Sequence, residues 1–96
     1  MSDGWDALAL HPDDDVAVAL RDLPAGASVR IRRGTGFVAL RPATSIALGH
    51  KFALRDIAAR ETVRKYGEAI GAAREPIATG AHVHVHNLVS LRARAS

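Results

Sequence analysis

The chain is built of short apolar runs that alternate with polar positions and are cut every few residues by Gly, Pro or Asp. "VAVALRDL" at 16–23, "SVRIR" at 28–32 and "FVAL" at 37–40 have the β-branched content or the period-two alternation of strands. In "SVRIR", Val29 and Ile31 take one face and Arg30 and Arg32 the other. "RGTG" at 33–36 predicts a turn, and Pro42 in "RPATS" ends the following strand because it has no N–H to give a ladder. "KFALRDI" at 51–57 fits either a strand or one helical turn, and "TVRKYG" at 62–67 fits a strand. "HVHVHNLVSL" at 82–91 predicts the last strand. Residues 1–13 read as a loose leader, 14–87 as the domain, and 88–96 as the end of the final strand with a basic tail. Many short strands with Gly and Pro turns predict a single all-β domain with at most one short helical turn.

One template recurs: apolar, two residues, Gly, two residues, apolar. It fits "LPAGASV" (23–29), "IALGHKF" (46–52) and "IATGAHV" (77–83), and "IAARETV" (57–63) fits with Arg60 in place of Gly. This predicts a tight turn that needs a positive φ at its fourth position and launches a strand. An Arg held in that conformation costs roughly 1 kcal/mol. The irregular spacing of the four copies points to a shared turn chemistry within one fold rather than a solenoid.

Composition narrows the function. With 96 residues, the chain buries only about 60–65% of its unfolded surface, so support from a partner or a second copy is expected. Thirteen Lys and Arg against ten Asp and Glu leave a net charge of +3, with no long basic run. Aromatic residues make up 4%, too few for base stacking, so no nucleic-acid partner is expected. The absence of cysteine excludes disulfides and thiolate metal sites. Neither a signal peptide nor a membrane-length apolar run is visible, so a cytoplasmic location and no membrane partner are expected.

The candidate chemistry centres on histidine. On a strand, His82, His84 and His86 would share one face, about 6.5–7 Å apart, with Val83 and Val85 on the other. That spacing lets two imidazoles reach one metal or serve in proton transfer; the other reading is an exposed polar face. "GHK" offers His50 as a base or ligand and Lys51 as an anion anchor, or is ordinary surface. "KYG" places Lys65 and Tyr66 before Gly67, either as a polar rim for an anion or as a packed ring with its hydroxyl outside. "DDD" at 13–15 is expected to cap the turn into the first strand, and Trp5 to meet a partner.

Taken together, "DDVAVALRDLPAG", "IALGHKFALRDI", "TVRKYGEAIGAA" and "IATGAHVHVHN" resemble the amino-terminal SAF-type domain of the altronate and galactarate dehydratases, from about Asp14 to Asn87. The resemblance implies a β-clip fold, a long hairpin bent back on itself. It implies elimination of water from a sugar acid to give a 2-keto-3-deoxy acid, with a divalent metal, iron or manganese, held mainly by a large catalytic chain. A related branch resembles the small subunit of sulfolactate sulfo-lyase, which releases sulfite. With no residues after Ser96, the expected arrangement is a small subunit that is inactive alone and acts with a separate large chain. The motif positions carried over are His50, Lys51, His84 and His86 as catalytic, Lys65, Tyr66, Gly67 and Asn87 as substrate-binding, and His84 with His86 as metal ligands. Arg60 departs from the family's Gly. A non-catalytic sugar-acid binding module is the alternative, and exposed strand edges make a homodimer possible for the isolated chain.

Overall fold

The computed structural model describes residues 4–90. Among them are nine strands and no helix: β1 (Ala7–Ala9), β2 (Val16–Ala19), β3 (Val29–Arg33), β4 (Gly36–Leu40), β5 (Lys51–Ala53), β6 (Thr62–Lys65), β7 (Glu68–Ala73), β8 (His82–Val83) and β9 (Leu88–Ser90). Six strands form a mixed sheet in the order β4-β3-β1-β2-β5-β8, and three form a second in the order β6-β7-β9. The only parallel pair among the described strands is β1 with β3; the other pairs are antiparallel.

The expected all-β architecture holds, and three local readings differ. The stretch read as a leader supplies β1, which lies between β3 and β2 with Ala7 and Ala9 buried. Three residues of Ala-Leu-Ala are too short and too weak in β-propensity to announce a strand. "KFALRDI" resolves into β5 followed by a turn. The last strand is interrupted: β8 ends at Val83, a turn covers 84–87, and β9 begins at Leu88. Val83 is therefore fully buried while Val85 is 71% exposed, so the two do not share a face. Leu91, the expected end of that strand, and the basic tail "RARAS" at 92–96 lie outside the described residues.

The recurring turn is present four times. Gly26, Gly49, Arg60 and Gly80 have φ of 77°, 84°, 70° and 83°. The apolar residues that open the four turns, Leu23, Ile46, Ile57 and Ile77, are all buried and meet in two antiparallel bridges, Leu23 with Ile46 and Ile57 with Ile77. Each buried side chain of this size contributes about 1.5–3 kcal/mol, so the turns are also core elements.

The chain is internally duplicated. "ALRD" occurs at 19–22 and at 53–56. In the first copy the Asp6 carboxylate accepts from the Arg30 backbone N–H and from Arg21 Nε, each at 2.8 Å. In the second, Asp15 accepts from the Arg64 backbone N–H and from Arg55 Nε at the same distances. Asp22 then accepts the Leu48 N–H, and Asp56 accepts the Thr79 N–H, both at 2.8 Å. Two apolar clusters follow the two copies. One gathers Leu23, Val29, Ile31, Ile46 and Phe52; the other gathers Val16, Ile57, Val63, Ile77 and Val83.

Candidate functional site

The histidines are brought together by loops and strand ends. His50 follows Gly49 at the fourth position of its turn, and the His50 N–H closes that turn on the Ala47 carbonyl at 3.0 Å. β5 runs antiparallel to β8, pairing Phe52 with His82. The turn after Val83 then folds His84 and His86 back over the same region, closed by the Asn87 N–H on the His84 carbonyl at 3.0 Å. Asn87 is buried, and its side chain fixes the turn. Its Oδ1 accepts the His84 N–H at 2.9 Å, and its Nδ2 donates to the His82 carbonyl at 2.8 Å.

Three imidazoles form a close, nearly parallel group. His50 and His82 lie 5.0 Å apart between ring centroids, His82 and His84 5.3 Å, and His50 and His84 5.5 Å, with interplanar angles of 25°, 11° and 18°. His50 Nδ1 and His82 Nε2 are 3.0 Å apart and share a hydrogen bond, so one nitrogen carries the proton and the other accepts it. His86 stands to one side, 5.7 Å from His82 and 6.4 Å from His84, and tilted. Partial burial, and then the positive fields of His50, His84, His86 and Lys51, hold the His82 pKa below its ordinary value. His82 is thus a neutral imidazole near pH 7, the form that accepts a proton or donates a lone pair to a metal.

Cations border the cluster. Lys51, the first residue of β5, is half-buried, and burial followed by the nearby charge of Lys65 lowers its pKa. Among the described residues neither lysine is paired with a carboxylate. The Lys65 ammonium lies 4.6 Å from the centre of the Tyr66 ring. Tyr66 and Gly67 connect β6 to β7 with φ of 55° and 78°, the paired positive angles of a type I′ hairpin turn. A neighbourhood rich in unpaired positive charge attracts a carboxylate or another small anion.

Of the residues carried over from the motifs, His50, Lys51, His84 and His86 are brought together, with Lys65 near Lys51 and Tyr66 against the Lys65 ammonium. Gly67 and Asn87 make structural hydrogen bonds as well. The Gly67 N–H donates to the buried Asp14 carboxylate at 2.7 Å, and a Cβ on Gly67 would lie 2.8 Å from the His11 ring. The Asn87 amide is spent on backbone. Asp14 and Asp15 pin loops to the second sheet, a larger part than capping one turn. Trp5 packs against Phe37 at 5.7 Å, with the Arg30 guanidinium 4.9 Å from its ring. His82 lies outside the motif positions, yet it is the centre of the cluster. Its signal in the sequence is the alternating run itself.

The "Altronate/galactarate dehydratase SAF domain" family matches residues 5–91. The chain belongs to this family. The match begins at Trp5, ahead of β1, so the family's pattern includes the segment that reads as a leader. The SAF domain is 50% identical over 80 residues to an altronate dehydratase of Escherichia coli (strain K12), and 36% identical over 80 residues to one of Bacillus subtilis (strain 168). Each alignment covers 83% of this chain but 15% of the relative. It is also 50% identical over 48 residues to the (2R)-sulfolactate sulfo-lyase subunit alpha of Chromohalobacter salexigens, covering 50% of this chain and 51% of that subunit. The chain therefore matches a small fraction of the dehydratases and about half of that alpha subunit. No helix among its described residues is long and apolar enough to cross a membrane.

Proposed function

We propose that this chain is the small subunit of a lyase that removes water from a sugar acid of the altronate or galactarate type, giving a 2-keto-3-deoxy acid, and that it works with a separate large catalytic chain. The observation that carries this reading is the convergence of four imidazoles with Lys51 and Lys65 on an open face. His84 and His86 are exposed there, so another surface is needed to enclose a substrate and exclude water.

The chemistry suits these groups. Elimination takes the proton from the carbon beside the carboxylate and expels the neighbouring hydroxyl as water; the resulting enol then becomes the keto acid. That proton is weakly acidic, so the step needs a positioned base and positive charge near the carboxylate. Lys51 and Lys65 supply the charge. His84 and His86 are placed so that one can take the proton or give one to the departing hydroxyl while the other is free to serve as a ligand. A divalent metal such as iron or manganese, when bound, polarises the carboxylate and stabilises the enediolate. A second reading, the small subunit of a sulfo-lyase acting on sulfolactate, draws on the 50% identity over 48 residues to the alpha subunit. It uses the same proton abstraction with sulfite leaving.

Native co-purification from the source cells tests the reading. A much larger chain is expected in equal amount, and the pair is expected to turn a sugar acid into a keto acid. His86→Ala in the reconstituted pair should lower turnover about 10²–10⁴-fold. Sulfite release from sulfolactate would select the second reading. A chain that purifies alone and binds a small acid without turnover would be a binding module, and the lyase reading would fall.

A further inference from the structure

The histidines at 84 and 86 are the pair that the alternating sequence offers to a metal, but the folded chain groups a different set. One ligand nitrogen from each of His50, His82 and His84 lies within 4.8 Å of the other two. His86 is outside this group. We propose that His50, His82 and His84 form a site for a divalent transition metal on this chain itself, with a fourth position left open for a water or an acid oxygen. The proposal rests on the reading above that this cluster is the working site of the domain, though not on which acid it uses.

The geometry is close to what a metal requires. Zinc-like ions bind imidazole nitrogen at about 2.0–2.1 Å, which places the nitrogens of a tetrahedral set about 3.3 Å apart. His50 Nδ1 and His82 Nε2 are already 3.0 Å apart, and one nitrogen from each of the three rings lies within 4.8 Å of the other two, so modest side-chain shifts bring the set to that spacing. His84 is exposed and lies on a turn, where such a shift meets little packing. The hydrogen bond between His50 and His82 is replaced by two metal–nitrogen bonds, and the one proton between them moves to the far nitrogen of the ring that carried it.

The support around the ligands is also present. Asn87 holds the backbone on both sides of Val83, through the His82 carbonyl and the His84 N–H, and so fixes the separation of two ligands. Metal sites lose about 10–100-fold in affinity when such outer contacts are removed. Three imidazoles without a carboxylate favour iron, cobalt, nickel, copper and zinc over magnesium and calcium, which prefer oxygen. Lys51, next to His50 in the chain, supplies a positive charge near His82, suited to an anionic oxygen.

Titration of the full 96-residue chain with Zn²⁺ and with Co²⁺ tests the proposal. One metal per chain is expected, with the visible absorption of four-coordinate cobalt. Zn²⁺ should bind more tightly than Mn²⁺, and Mg²⁺ should not compete. His82→Ala and His50→Ala should each weaken binding at least about tenfold. His86→Ala and His11→Ala should leave it unchanged. Circular dichroism of each variant without metal checks that it is folded; a folded His82→Ala chain that binds as the parent does would overturn the proposal. Loss of binding in His86→Ala equal to that in His50→Ala would overturn the ligand set. Metal binding as expected, in a chain that supports no lyase with its large partner, supports the metal site and sinks only the function reading. A chain that binds no metal but does support the lyase sinks only the metal site.

Discussion

Arg60 has φ of 70°, where its three counterparts in the recurring turn are glycines. An L-residue with a Cβ is disfavoured there by about 1–2 kcal/mol. The backbone bonds of the turn do not need the side chain: the Arg60 N–H donates to the Ala73 carbonyl at 2.7 Å, and the Glu61 N–H to the Ala58 carbonyl at 3.0 Å. Arg60→Gly should therefore stabilise the domain by about 1 kcal/mol, raising the melting temperature about 4–8 °C. A lower melting temperature in scanning calorimetry would mean that the arginine side chain contributes more than its backbone strain removes. This residue was legible in the sequence because the left-handed conformation is set within a few positions, and three glycines at one template position gave the rule that Arg60 breaks. Asp6 and Asp15 were not legible in the same way. Their backbone partners, Arg30 and Arg64, are 24 and 49 residues distant, and nothing local marks a carboxylate that will tie two strands together.

At the scale of an element, the histidine run shows how a correct period can mislead. "HVHVH" alternates as a strand does, yet the ladder to β5 extends only through Val83 and His82. The reason sits at Asn87, whose amide caps a turn by bonding to the backbone at 82 and 84, as Asn often does where it competes with a ladder. The cluster was thus legible in its residues and not in its geometry: His50 had to come from 32 positions away, and His82 was obscured by the motif that highlights its neighbours. The strand β7, "EAIGAA", is equally silent in sequence, since Ala and Gly have little strand preference. Gly71 is needed there because a Cβ would run into the Val89 carbonyl of β9. Asn87→Ala should cost about 1–3 kcal/mol by leaving the His84 N–H and the His82 carbonyl without their buried partner. It should also loosen the turn, visible as faster amide exchange at 84–87 and separate imidazole resonances for His82 and His84. Unchanged exchange with an unchanged melting temperature would show that the turn holds without the clamp.

On the scale of the whole molecule, the duplicated carboxylate–arginine contacts could describe two half-domains that fold separately. The strand order argues against that. Ala17 and Ala19 of β2 pack in the first apolar cluster, while Val16 of the same strand packs in the second; Phe52 and Ala53 of β5 divide in the same way. β2 and β5 are adjacent and hydrogen-bonded, so neither cluster can open without exposing part of the other. The histidine cluster, carried by β5, β8 and the turns around them, then depends on both halves being folded. Trp5 gives a local reporter of the first half, through its packing on Phe37 and Arg30, while Ile77 belongs to the second cluster. Ile77→Val removes one buried methylene and should cost about 0.5–1.5 kcal/mol. In one cooperative unit, the Trp5 fluorescence transition and the circular-dichroism transition move to lower temperature by the same amount, although the substitution lies in the second cluster. If the Trp5 transition stays in place while the circular dichroism shifts, the two copies unfold independently, and the histidine site between them would lose its rigid support well before the first half melts.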